Sequence, residues 1–429
     1  MHFLGLLSTL SVFTVASASV IDHKHHIRRD SSKSNSTRNV AYYSNWDIYS
    51  AKYLVTDIPA SDLTHLIYAF ANINSTTGEV TLSDEYADLQ YQYPGDDASL
   101  PGTNVYGNIK QLFLLKKKQR NLKTMISIGG GTYSKNMVPV LASESLRETF
   151  AKSAVDIVSN LGFDGIDIDY ESISSSTQME QFLDLLNKTR TKLDTFTANI
   201  SASPFSLSFA APMGSSNYDL LDFPNMDKYL DFWNLMGYAY TGSWNTESGH
   251  QASLFNSSTD PLSTPVDSNT SIHYYIAHGA TPSKLVLGCP LYGAAFNNTS
   301  GPGKPFDGLG TEGSFGQAGI WNYNQLPAPG FNATTVELPE IGASYSYDAQ
   351  KKYMISYDTP NIAAVKAEYT KKMGLGGLMW WEVSMDKTGI SSLISTAAKK
   401  FGGASALDQS LNNLNYPTSV YDNLRAGFA

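Results

Sequence analysis

Gly162-Phe163-Asp164-Gly165-Ile166-Asp167-Ile168-Asp169-Tyr170-Glu171 alternates acidic and apolar side chains. In an extended strand successive side chains point to opposite faces. Asp167, Asp169 and Glu171 therefore share one face, while Ile166, Ile168 and Tyr170 take the other. Carboxylates in such a row repel one another, and folding alone gives no reason to build it. The row pushes at least one pKa upward and leaves a protonated acid beside ionised neighbours. Acids whose environments split their pKa values are the mark of acid–base work. The alternatives are a metal site and a tolerated solvent-facing strand. Against the second, the segment lies between apolar runs and ends in an aromatic–acid pair.

Seven further short apolar runs share the near-continuous hydrophobicity of parallel strands buried on both faces. They are residues 39–43, 65–70, 124–128, 207–211, 232–236, 285–289 and 377–381. Helical patterns separate them. Leu146, Phe150, Ala154, Ile157 and Leu161 keep helical spacing behind a capping-box pattern, Ser145-x-x-Glu148. Met179, Phe182, Leu183 and Leu186 mark one face of the next helix. Eight strands alternating with helices predict an α/β chain folded as a (β/α)8 TIM barrel over residues 39–402. Functional side chains then belong at strand C-terminal ends, where Glu171, Tyr238 and Trp381 fall. Residues 292–356 are too long for an ordinary loop. Residues 403–429 read as a polar tail, and Lys116-Lys117-Lys118 as a solvated, dipole-favoured helix end.

The formal charge of −9 argues against a nucleic-acid partner. Residues 3–16 form an apolar run followed by Ala16-Ser17-Ala18, which reads as a secretory signal peptide over 1–18, too short to span a membrane. Residues 19–38 hold a basic stretch ending in Arg28-Arg29, readable equally as a pro-segment with a dibasic cleavage site or as a linker. Nine Asn-x-Ser/Thr sequons follow, at Asn35, Asn74, Asn187, Asn199, Asn256, Asn269, Asn297, Asn298 and Asn332. Together with a leader they predict a secreted, extracellular glycoprotein. The single cysteine, Cys289, lies in an apolar run and reads as a buried filler. No second long apolar stretch is present, so no membrane association is expected.

The acid row resembles the Asp-x-x-Asp-x-Asp-x-Glu signature of glycoside hydrolase family 18, the chitinases and their relatives, here Asp164, Asp167, Asp169 and Glu171. The resemblance implies hydrolysis of β-1,4-linked N-acetylglucosamine chains with no cofactor and no metal. This family is a known exception among retaining glycosidases, in that the substrate itself supplies the nucleophile. Glu171 would be the general acid and then the base. Asp169 would orient the substrate's acetamido group, and Asp167 would share a proton with Asp169. Asp164, of opposite strand parity, suits a structural role. Tyr238, in Met236-Gly237-Tyr238-Ala239, resembles the tyrosine that holds the acetamido carbonyl. Trp381 matches the tryptophan under the reactive sugar, whose apolar face suits an indole; Trp380 then points outward as packing. Ser127-Ile128-Gly129-Gly130 matches the third-strand motif, its glycines turning the backbone beside the cleft, and Tyr42 resembles a further subsite aromatic. Residues 292–356 resemble the small α+β insertion between strands 7 and 8, and the C-terminal segment resembles the end of secreted fungal chitinases.

Four positions depart from the family pattern. Gly131 stands where a tryptophan follows Gly-Gly, and Ser172-Ile173 replaces Tyr-Pro. Ala239 replaces an aspartate, and Ala294 the arginine of Tyr-Gly-Arg-x-Phe. All four are expected around the cleft. A lectin on the same fold typically loses the acid, whereas Glu171 is present. A hydrolase of another acetamido glycan keeps the mechanism and changes the substrate. The expected partner is chitin or a chitooligosaccharide, bound by a monomer.

Overall fold

The computed structural model describes residues 37–428. The expected signal peptide, the dibasic site and Asn35 lie outside the described residues. Eight parallel strands form the centre: β1 (Arg38–Ser44), β2 (His65–Ile73), β3 (Lys123–Gly129), β4 (Gly165–Asp169), β5 (Ser206–Ala211), β6 (Phe232–Leu235), β7 (Leu285–Pro290) and β8 (Gly377–Trp381). Each pairs with its sequence neighbours, and β1 pairs with both β2 and β8, so the sheet closes into a barrel. The expected runs all form these strands.

The period of two is visible in the packing. Val40, Tyr42, Ile67, Ala69, Met125, Phe232, Val286 and Met379 cluster inside the barrel. Their neighbours Ala41, Tyr43, Leu66, Tyr68 and Ile126 join the larger apolar layer against the helices. Trp380 belongs to that outer layer, its indole N–H on Asn39 Oδ1 at 2.8 Å. Cys289 is fully buried, and burial pushes its thiol up to about 12, which makes it inert.

Helices α1 (Gly107–Lys118), α2 (Gly130–Ala142), α3 (Glu144–Leu161) and α4 (Ser176–Ile200) cover the first half of the barrel. Helix α3 starts one residue before the expected capping box. Ser143 occupies the N-cap position in extended backbone, and Glu148 instead faces Lys188 and Lys192 on α4. In α4 the buried face carries Met179, Phe182, Leu185 and Leu186. Leu183 sits half-buried at its edge.

Between β7 and β8 lies a five-stranded antiparallel sheet, in the order Ile320–Asn322, Tyr292–Phe296, Tyr353–Ser356, Ala343–Asp348, Thr334–Leu338. Ala294 is one of its buried residues, packed with Phe296 and Met354. Its small side chain is a core position of the sheet, and Ile173 is likewise buried in the barrel's outer layer. Ala294 and Ile173 are therefore packing positions, whereas Ser172 is exposed.

The lysine run at the end of α1 is not uniformly solvated. Lys116 falls on the same face as the buried Leu112 and Phe113 and is itself fully buried. It ion-pairs with Asp164 at 2.8 Å and donates to Gly162 O at 2.7 Å and Tyr416 Oη at 3.0 Å. Asp164 also accepts the backbone N–H groups of Thr124 (2.9 Å) and Asn413 (2.8 Å). The expected tail thus runs back under the barrel. Asn412 Nδ2 donates to three carbonyls at the end of α1 and the start of β3, and Asp408 pairs with Lys123 at 3.2 Å.

Removing one partner of a buried ion pair leaves an uncompensated charge. Lys116→Met should therefore lower unfolding stability by about 3–5 kcal/mol. Lys117→Met, on the exposed side, should stay within about 0.5 kcal/mol of the parent. Denaturant unfolding of both variants measures the contrast.

Candidate active site

Strand β4 carries its acids inward. Asp167 is fully buried at the barrel centre and accepts four hydrogen bonds: Tyr42 Oη (2.8 Å), Ser127 Oγ (2.8 Å), Ser208 Oγ (2.6 Å) and Asn234 Nδ2 (3.1 Å). Burial pushes its pKa up, and those four donors oppose the shift. A carboxylate offers about four lone-pair sites, and these four partners occupy them, so no hydrogen bond joins Asp167 to Asp169 among the described residues. That corrects the expectation of an Asp167–Asp169 proton. Tyr42 is corrected for the same reason. It is 1% exposed and its hydroxyl is committed to Asp167, so it braces the site from within and is no subsite aromatic.

Asp169 is 4% exposed, and its Oδ1 has no hydrogen-bond partner among the described residues. Burial raises its pKa well above the carboxylate range, reinforced by the charges of Glu171 and Asp167 and by a hydrogen bond with Glu171. Glu171 is raised mainly by burial, and the Asp169 hydrogen bond offsets part of this. The two acids titrate as one unit, and burial raises both toward their protonated forms.

The ladder of β4 ends where Gly129 faces Asp169, so Glu171 lies beyond the strand, exposed to the cleft. The buried hydroxyl of Ser134, on α2, takes over there. It donates to Asp169 O at 3.1 Å and accepts Glu171 N–H at 3.1 Å. Nothing in the spacing of the sequence marked Ser134. Gly129 and Gly130, expected at the binding site, shape it from behind. A Cβ on Gly129 (φ +117°) would meet Asp169 O at 2.1 Å, and one on Gly130 (φ +71°) the Phe70 ring at 2.6 Å. Gly131 differs. A Cβ there would stand 3.7 Å from Glu171 Oε1, an ordinary contact, so a side chain fits beside the acid.

Tyr238 and Met236, at the end of β6, are half-buried. The Tyr238 phenol is raised by burial and then by Tyr292, Asp169, Glu171 and Asp167, which places it over the acid row. Tyr292, edge-on at 6.3 Å, was not singled out by the sequence. Trp381 is half-buried and lies against Phe70 (5.7 Å, 25°) and Tyr42 (5.2 Å). Ala239 is exposed, with φ +56°.

A family model described as Glycosyl hydrolases family 18 matches residues 38–386. The chain is 44% identical over 392 residues to Endochitinase 1 of Metarhizium robertsii, covering 91% of each. The catalytic domain of a psychrophilic chitinase B from Arthrobacter superimposes with a TM-score of 0.78 at 28% identity, over 88% of this chain and 97% of that one. A variant of class V chitinase from Nicotiana tobaccum, in complex with NAG4, gives 0.72 at 25% identity, over 86% and 99%. The closed barrel, the inward acid row and these likenesses agree: the chain is a member of glycoside hydrolase family 18.

Proposed function

We propose that the chain is a secreted chitinase cleaving β-1,4-linked N-acetylglucosamine polymers or oligomers by substrate-assisted, retaining catalysis. The single observation that carries this reading is the Asp169–Glu171 pair. It is an acid exposed to the cleft, its pKa raised by burial, hydrogen-bonded to a buried acid whose pKa is raised further. The likeness to an endochitinase and to a chitinase in complex with NAG4 supports the substrate class. Among the described residues no helix is long and apolar enough to cross a membrane.

In the first step the Glu171 proton passes to the glycosidic oxygen and the bond from that oxygen to the anomeric carbon breaks. The acetamido carbonyl oxygen of the same sugar attacks the anomeric carbon, giving an oxazolinium ion. With that proton gone from the pair, the Asp169 carboxylate stabilises that charge and accepts the acetamido N–H. Tyr238 donates to the carbonyl oxygen and holds it for attack. Water then adds to the anomeric carbon, its proton goes to Glu171, and the acetamido group re-forms. Two inversions leave the β-anomer. Trp381 is the floor under the reactive sugar.

Gly131 favours one second reading. The opening beside Glu171 leaves room for a substituent on the departing sugar, as in another acetamido glycan. A glycopeptide assayed beside the N-acetylglucosamine hexamer separates the two.

Glu171→Gln should keep the fold and lose on the order of 10²–10⁴ in turnover of the hexamer, the usual share of a general acid. Early NMR of the parent's product should show β first; predominant α would exclude acetamido attack, and so would equal cleavage of cellohexaose. Asp169→Asn leaves an amide that donates to Glu171 and favours its ionised form. The alkaline limb of kcat/KM should then move to lower pH, and an unmoved limb would separate the two acids. Ala239→Asp should act in the opposite sense. Asp adopts left-handed backbone more readily than Ala, and in relatives it adds a negative charge near the acid that raises its pKa. The alkaline limb should move to higher pH with no loss of melting temperature.

A further inference from the structure

Two cleft aromatics, Trp46 and Trp381, are each followed by a buried acid, Asp47 (3% exposed) and Glu382 (1%). Asp47 lies in the single helical turn Asn45–Ile48 after β1, and Glu382 follows β8 directly. Their carboxyl groups hydrogen-bond to one another. Ser44 N–H donates to Asp47 Oδ2 at 3.2 Å, and Ser384 N–H to Glu382 Oε2 at 3.0 Å. The Ser384 hydroxyl donates to Glu382 Oε1 and also reaches Asp47. The remaining titratable groups around the pair are the phenols of Tyr43 and Tyr53, with Asp57 and Asp386 beside Tyr53. Neither acid is paired with a lysine or arginine among the described residues.

Two buried carboxyl groups in contact, with no cation, cannot both ionise. They hold one proton between them. That proton ties the loop after β1 to the end of β8. The same two segments carry the ends of an aromatic row. Trp46 lies 6.1 Å from Phe70, and Phe70 lies 5.7 Å from Trp381 at 25°. Trp46 is 46% exposed, so the row opens to solvent at that end. Nothing in the acid row on β4 uses this pair.

We propose that Asp47 and Glu382 form a one-proton latch that sets the spacing of Trp46 and Trp381 and so positions the wall on which the sugar chain lies. The two acids are positioning residues, and the inference rests on Trp381 being the sugar platform. Burial, then the Glu382 charge, pushes Asp47 up to about 10. The latch is therefore closed at neutral pH and opens as pH rises through that value.

The test uses the full chain carrying Glu171→Gln, so that binding of the N-acetylglucosamine hexamer is read by calorimetry without turnover. Adding Asp47→Ala should weaken Kd about tenfold, a loss the size of one good contact. Adding Asp47→Asn should restore it at neutral pH, because the amide N–H bonds the Glu382 carboxylate without a shared proton. With Asp47 present, Kd should weaken as pH passes about 10; in the Asp47→Asn variant, Kd should stay flat. An unchanged Kd in Asp47→Ala, or the same alkaline weakening in Asp47→Asn, overturns the latch. If Asp47→Ala fails to fold, the pH comparison on Asp47→Asn decides alone. If Glu171→Gln itself binds no hexamer, the substrate reading fails first and the latch falls with it.

Discussion

A carboxylate at the centre of a closed barrel is tolerated only when every lone pair finds a donor. Asp167 sets that demand, and the rest of the barrel answers it. Tyr42 comes from β1, Ser127 from β3, Ser208 from β5 and Asn234 from β6. With β4 itself, five of the eight strands converge on one side chain. A slip of one residue in any of them would turn its donor outward and put an apolar side chain against the charge. The acid thus enforces strand register as well as serving the site above it. Removing it in favour of an apolar residue would strand two hydroxyls, a phenol and an amide in the barrel's interior.

The fold was readable because burial on both faces leaves a simple trace in a parallel strand. Runs such as residues 124–128 and 377–381 are apolar nearly throughout, and they became β3 and β8. Side-chain parity was equally plain, so the inward row of Asp167 and Asp169 followed from alternation alone. What alternation cannot express is how many donors reach a given acid. Tyr42 looked like an aromatic at the end of a strand, and only packing reveals that its hydroxyl is committed to Asp167. Ser134 lies more than thirty residues from the atoms it bridges, |i−j| 35 and 37, and serines on helices are common. Its role comes from tertiary placement.

The underside of the barrel repeats the lesson. Lys116 stands in a run of three lysines, where a solvated helix end is the natural reading. Its neighbours Lys117 and Lys118 have different surroundings because a helix turns about 100° per residue. Lys116 alone faces Asp164, and the C-terminal segment seals that pair from below through Asn413 and Tyr416. A polar tail, ordinary in composition, therefore completes the burial of a charge near the first residue of the catalytic strand. Here a single carboxylate joins α1, β3 and the chain's end.

Along this one strand the acids are neutralised by different means, and the order matters. Asp164, at the bottom, has a cation and two backbone amides. Asp167, in the middle, has four neutral donors. Asp169, higher still, has an unpartnered Oδ1 and satisfies itself through Glu171. The supply of donors thins toward the open end, so a proton becomes the remaining partner there. A hydroxyl reaching Asp169 Oδ1 would stabilise its ionised form and compete with that proton. The catalytic acid is poised where the barrel's hydrogen-bond donors run out, one step above the last carboxylate that they can satisfy.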